Sequence, residues 1–404
     1  MAALLSAAAW LCSAALGGVA VETAARLAVR GRQVRVEGGS ARGTGDLEAI
    51  PRIALLLHGG ADVTLVYAPR LTVPMEPPAR TREQGGGSGL RDRAELLHQA
   101  EIAVERAATA NLALRLRADG ASGRVDLRRS EVYADEALPA GERLAWRSAR
   151  AALEATATPV RRVTLTGLLL AFETGGADDE ARHVVPLQRG TRLGAAVRYG
   201  ASRRDELSLV VDASRSRFRG ATDVPRAAIV RLGGGWARSL GPALAARLAS
   251  GAAWSTIDAS LGGGARELTA FAEAGLAHAP ARPAVSTDLA FRLTPYLNPF
   301  TGGVDQRLEA SATARWRAAG EWELTARAAA AATRGDTSRG AYWTGERRAE
   351  VGSLDLRASW TFARRGTLSF GPRLRGQRSH DRALPTFFEW GAALELAVGA
   401  RWAG

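Results

Sequence analysis

Asp178-Asp179 followed by His183, and His380-Asp381 near the end of the chain, are the residue groups best suited to acid–base chemistry. A carboxylate beside an imidazole orients it to take a proton from water, which is the core of a hydrolytic site. The spacing is unspecific, because Asp and His are common in solvated loops. These pairs are therefore read as loop residues, with a rim hydrolase as the disfavoured alternative. The five His are His58, His98, His183, His278 and His380. Cys12 is the single Cys, which excludes a disulfide framework and any multi-cysteine metal site. Gly233–Gly235 and Gly262–Gly264 fall at strand and loop positions rather than between a strand and a helix, so no phosphate-cradling loop is expected. No cofactor or metal is implied.

Arginine carries the stronger signal. All 54 basic residues are Arg, set against 41 Asp and Glu, and the formal net charge is +13. The chain is also rich in Ala and Gly, the mark of a coding bias toward GC, so part of that charge has no functional meaning. Position is more informative than number. Arg192, Arg198, Arg231, Arg247, Arg292, Arg315, Arg317, Arg327, Arg357, Arg373, Arg375 and Arg401 all fall on the polar phase of segments that alternate with period two. Glu206, Glu309, Glu323, Asp355, Glu389 and Glu395 share that phase. Rings of Arg in a pore favour anions, and interleaved carboxylates form ladders across neighbouring strands. Arg192, Arg198, Arg315, Arg327, Arg357, Arg373, Arg375 and Arg401 are the candidate residues for binding an anionic solute. The blander reading is that these charges pair with one another and set the pore's shape. Nucleic acid is not an expected partner of an exported chain whose few aromatics gather at strand ends.

The elements that must position these arginines are strands. From Phe388 to Trp402 the even positions read Phe388, Trp390, Ala392, Leu394, Leu396, Val398, Ala400 and Trp402. The odd positions are small or charged. The same alternation recurs at 192–199, 307–317, 321–328 and 353–362. A soluble sandwich would fill its buried face with bulky side chains, because interiors are close-packed. Here the apolar face is full of Ala, which lipid tails tolerate, and the opposite face is charged, which a wet lumen tolerates. The pattern predicts a single closed antiparallel transmembrane β-barrel over residues 21–404, with about eighteen strands. Nine long connections, such as Glu37–Asp46, Pro74–Arg93, Asp119–Glu142 and Glu173–Gly190, alternate with eight short ones, such as Gly59-Gly60 and Ser202–Arg204. That parity fits long extracellular loops, short periplasmic turns and both termini in the periplasm. Tyr199, Trp236, Trp316, Trp322, Trp360, Phe362 and Trp402 fall at periplasmic strand ends, with Phe291, Phe388 and Trp390 toward the other side, as interfacial girdles would.

Two stretches are ambiguous. Residues 94–106 carry apolar positions at helical as well as strand spacing, and losing a strand pair there gives a count of sixteen. Pro51 is expected only near a strand start or at a bulge. Residues 1–20 are uncharged and apolar, with Gly18 and Ala20 fitting a cleavage site before Val21, so they read as a secretory signal peptide.

The block Pro186-Leu187-Gln188-Arg189-Gly190 leads into an alternating strand, then Arg203-Arg204-Asp205 and Leu207-Ser208-Leu209. Leu384-Pro385 precedes the closing strand through Trp390. Together these resemble myxobacterial outer-membrane barrel proteins, some of them associated with exopolysaccharide secretion. The resemblance implies a barrel of about eighteen strands that passes a polymer outward. Its basic lumen is similar in character to alginate-type secretion porins, with periplasmic secretion proteins as partners. It carries over no individual binding residue. The expected reading is thus a non-enzymatic outer-membrane pore for a glycan or other anionic solute, with 74–93 folding over the mouth as a gate. The alternative is a general diffusion porin or structural barrel.

Overall fold

A computed structural model describes residues 16–39, 41–75, 94–126, 143–220, 226–258, 264–280, 285–300, 302–318, 321–336, 346–362, 365–380 and 386–403. The expected gate at 76–93, Cys12, Asp381 and Leu384-Pro385 lie outside the described residues. Nineteen strand segments form one antiparallel sheet that closes on itself. They are β1 (Leu16–Val36), β2 (Arg42–Gly59), β3 (Asp62–Tyr67), β4 (Arg70–Pro74), β5 (Glu95–Thr109), β6 (Leu112–Asp126), β7 (Arg143–Val160), β8 (Val163–Gly176), β9 (Leu187–Gly200) and β10 (Asp205–Arg219). Then come β11 (Arg226–Ser239), β12 (Leu244–Asp258), β13 (Gly264–His278), β14 (Val285–Leu297), β15 (Val304–Arg317), β16 (Trp322–Asp336), β17 (Glu346–Phe362), β18 (Gly366–Ser379) and β19 (Phe387–Ala403). Pairing of β1 with β19, from Ala20↔Ala403 to Val36↔Phe387, closes the cylinder.

β3 and β4 are one stave, which makes the barrel eighteen-stranded. Both pair with β2 and β5, and the register on either side of the break is the same: Ile53↔Tyr67 and Ala49↔Leu71, Tyr67↔Ala100 and Arg70↔Leu97. Continuing that register sets Pro69 opposite Pro51. Neither proline has an N–H to give, so the ladder lapses there and resumes beyond. Pro51 therefore sits in mid-strand, not near a start or bulge as expected, and its tolerance comes from the neighbouring proline. The helical alternative for 94–106 is also corrected: β5 runs straight through it. β1 starts at Leu16, so residues 16–20 of the expected leader pair with β2.

Paired residues of adjacent strands face the same way, so one register row fixes two faces all round the cylinder. The row Leu27, Leu396, Leu368 and Trp360 points outward. Outward positions are exposed apolar side chains, among them Leu193, Leu209, Leu232, Leu268 and Trp254. Such a surface is stable only in contact with lipid. At the short-turn end, Trp322 and Trp360 stack at 6.1 Å between centroids and Phe362 lies 5.4 Å from Trp360. Their polar ends have partners: Trp360 Nε1 donates to Glu321 (3.1 Å) and Trp236 Nε1 to Asp205 (3.1 Å). That is the amphipathic geometry of a headgroup girdle. Turns on this side are short, at 60–61, 110–111, 161–162 and 201–204, whereas the other side carries 75–94, 127–142 and 337–345. Several strands run further toward the long-loop side than alternation suggested: β2 starts at Arg42 and β6 continues to Asp126.

Candidate functional site in the lumen

The inward face is lined by charge. On the β5–β7 wall, Arg115 Nε donates to Glu105 (2.6 Å), Arg117 pairs with Glu101 (2.9 Å) and Arg150 Nε donates to Asp119 (2.9 Å). These residues form a ladder that the helical ambiguity of 94–106 concealed; Arg115 and Arg117 at alternate positions were its only signal. Elsewhere Asp212 accepts from Arg231 (3.0 Å) and contacts Arg192. Glu323 lies 3.3 Å from both Arg315 and Arg317, and Arg357 Nη2 donates to Glu395 (2.6 Å). Most of these side chains are half-exposed, so each pair is worth about 0–1 kcal/mol.

The eight candidate arginines thus divide by environment. Arg192, Arg315 and Arg357 stand in ion pairs. Arg375 is buried, with its guanidinium 5.8 Å from the Phe387 ring centroid, a cation–π arrangement away from open lumen. Arg198, Arg327 and Arg373 are exposed on the inward phase, with no ion pair among the described residues. Arg327, Asp355 and Arg373 lie side by side in one row across β16, β17 and β18 without closing to ion-pair distance. Arg401 takes its place in β19 opposite Glu22.

Two features shape the lumen. A notch of about 260 Å³ in the inner wall of β12 and β14–β17 is lined by Arg247, Asp288, Arg292, Arg307, Glu309 and Ser311. Arg307 pairs with Glu309 (2.6 Å), while Arg247 and Arg292 are exposed toward the space. Arg247 lies across Gly275, where a Cβ would come within 2.3 Å of Nε, so only glycine lets the guanidinium lie flat on the wall.

The second feature is the β8–β9 connection, which turns inward as a short helix, α1 (Asp179–Val184). Its Ala181 and the following Val185 pack against inward Leu97, Val125, Leu144 and Trp146. The segment comes so close to β8 that a Cβ on Gly175 (φ 138°) would meet the Pro186 carbonyl at 2.3 Å. The acid–base candidates take structural parts here. Asp178 caps the helix by accepting from the Ala181 N–H (2.8 Å), and His183 Nδ1 donates to the Asp179 carbonyl (2.7 Å). Asp179 pairs with Arg182 (2.7 Å). The imidazole therefore meets a main-chain oxygen rather than an orienting carboxylate.

The chain is similar to several solved structures from Pseudomonas aeruginosa. OccK9 (OpdG) is 12% identical, with a TM-score of 0.49 over 95% of this chain and 98% of that one. OpdL is 14% identical, TM-score 0.49, over 95% and 99%. OccK2 (OpdF), solved in complex with glucuronate, is 8% identical, TM-score 0.49, over 94% and 98%. No curated protein matches the sequence. A charged lumen inside a closed, lipid-facing cylinder is the architecture of a bacterial outer-membrane pore, and residues 10–401 match the model of the EpsX exopolysaccharide export family, to which this chain belongs.

Proposed function

We propose that this outer-membrane pore passes an anionic exopolysaccharide, using lumen arginines as weak stepping sites. The observation that carries this is the set Arg198, Arg327, Arg373, Arg247 and Arg292, all exposed on the inward face without an ion pair among the described residues. A pore built only to hold its shape would close these charges into pairs, as Glu323 does for Arg315 and Arg317. Guanidinium forks match carboxylate or sulfate geometry, and the half-exposed ladder pairs open at little cost as a polyanion passes. The barrel acts as a conduit rather than an enzyme, with outer-membrane lipid around it and periplasmic secretion proteins delivering the polymer. We further propose that residues 1–20 are a secretory leader that directs export, with the mature strand starting near Val21.

The test is a planar-bilayer recording with polyuronate or neutral dextran added on the short-turn side. Polyuronate should interrupt the current and dextran of equal size should not. Arg327→Glu with Arg373→Glu should abolish the polyuronate events and lower anion preference. Equal responses to both polymers, unaltered in the double variant, would return the barrel to a general diffusion porin.

A further inference from the structure

The outer wall is not uniformly convex. Outward Leu193 is 57% exposed and Leu268 62%, as befits a lipid-facing surface, yet Val104 and Leu116 on the same outward phase are 0% and 4% exposed. Their register row, Val63↔Val104↔Leu116↔Leu153↔Leu169, therefore sits at the bottom of an inward bend in the sheet. On the long-loop side of that row the bend opens into a groove of about 1130 Å³. Two outward rows of small residues, with Ala118, Ala151 and Ala171 in one and Ala100, Gly120 and Ala149 in the other, floor it.

Arginines close its upper end. Arg189 on β9 and Arg217 on β10 are register partners on the outward face, and Arg215 lies one outward position below. Glu173 is the one acid lining this end, and it is already engaged by Arg147 (2.7 Å) and Arg189. Arg215 and Arg217 are exposed and have no acidic partner among the described residues. An apolar trough that runs toward the membrane interface and ends in uncompensated guanidiniums needs an amphiphile with an anionic head.

We propose that this groove binds a phosphorylated glycolipid of the outer leaflet, acyl chains against the alanine floor and phosphate on Arg189, Arg215 and Arg217. The long-loop side is the extracellular side, so the cluster stands at the height of that leaflet's headgroups. Bidentate guanidinium–phosphate pairing accounts for arginines where one acid is outnumbered. A second copy related by a twofold along the membrane normal would set two such clusters face to face, which like-charge repulsion opposes. The site is independent of what the lumen carries.

The experiment compares the purified barrel with Arg215→Gln/Arg217→Gln and with Ala151→Phe, which fills the floor. Each is incubated in detergent with bisphosphorylated lipid A, its dephosphorylated form or phosphatidylglycerol, and retained lipid is read by native mass spectrometry. All three substituted positions face outward or lie at the rim, and heat-modifiable gel migration confirms folding. The wild type should retain lipid A at least tenfold better than the dephosphorylated form. The arginine pair should erase that preference, and Ala151→Phe should lower retention of every lipid. Wild-type and variant retention being equal would overturn the proposal. So would variants that change subunit number while leaving retention unaltered, which would assign the groove to a second copy. Preference for phosphatidylglycerol would replace the glycolipid with a phospholipid and overturn it likewise.

Discussion

Glu48 on β2 should be a keystone of barrel closure, and replacing it with Gln tests that quantitatively. Its side chain is 1% exposed and faces three guanidiniums: Arg26 Nη2 donates at 2.8 Å, Arg30 Nη2 at 3.2 Å, and Arg70 contacts the other oxygen. Arg26 also lies 3.9 Å from Glu395 on β19, so the cluster spans β19, β1, β2 and β4, the staves on either side of the closing seam. Glu48→Gln keeps size and one acceptor but removes the charge. The amide N–H of Gln would face the third guanidinium, so the Arg70 contact is lost outright while Arg26 and Arg30 keep a weaker acceptor. A contact to a charged group is worth about 1.5–3 kcal/mol, which puts the loss at about 2–3 kcal/mol. Breaking a fully buried pair costs about 3–5 kcal/mol. The arginines here are 15–31% exposed, and water screens part of their loss, which favours the lower figure. Urea unfolding in lipid vesicles, followed by Trp fluorescence, should thus show a drop of about 2–3 kcal/mol. Glu105→Gln, removing a half-exposed pair with Arg115, is the control and should lose under about 1 kcal/mol. If the two variants lose the same amount, burial and convergence at Glu48 do not have the energetic weight assigned to them.

Two further outcomes follow from local packing and pairing. Trp146→Ala removes the largest side chain beneath α1, a loss of about 3–5 kcal/mol, more than a six-residue helix can offset. The helix should leave the wall and single-channel conductance should change from the wild-type value; an identical conductance would mean that α1 does not shape the conducting path. The β13–β14 ladder runs only from Ala272↔Leu293 to His278↔Thr287, although β13 begins at Gly264 and β14 reaches Leu297. Amides of 265–271 that point away from β12 should exchange about tenfold faster or more than those pointing toward it, since one missing bond is worth about 1 kcal/mol or more; equal protection would show that the seam is closed in the membrane.

Barrel class, strand number and facing were legible because each rests on strict period-two alternation, which the β-sheet imposes at every position. Leu308, Ala310, Ala312, Ala314 and Trp316 could face only one way once any one of them was placed. The break at Pro69 was harder to read, because its cause is a pair of prolines far apart in sequence that meet only through register. The inward fold of 177–186 was hidden for a similar reason. Nothing in Asp178, Asp179 and His183 distinguishes a rim site from a helix cap until Trp146 and Leu97, on two other strands, supply the surface on which the helix sits. The bend that buries Val104 leaves no local trace either, since Val and Leu occupy outward positions around the whole wall. Alternation reports which face a residue is on, and is silent about the curvature of that face.

The partition of the lumen arginines bears on how such a pore could move a polymer. A site that binds an anion tightly stalls conduction, and a site with no affinity gives no selectivity; transport needs many weak sites within reach of one another. Exposed Arg327 and Arg373 flanking Asp355 supply that condition in miniature. The carboxylate tempers both guanidiniums without closing on either at ion-pair distance, so under the proposed function a polyanion's next acidic group competes with Asp355 rather than with bulk water alone. Glu395 on Arg357 and Glu323 on Arg315 hold their arginines more firmly, at 2.6 and 3.3 Å, yet remain partly exposed. Under the proposed function the acids of this lumen are brakes on affinity as much as props for shape, and Asp355→Asn should lengthen the polyuronate blockades seen in a planar bilayer; blockades of unchanged duration would refute that role.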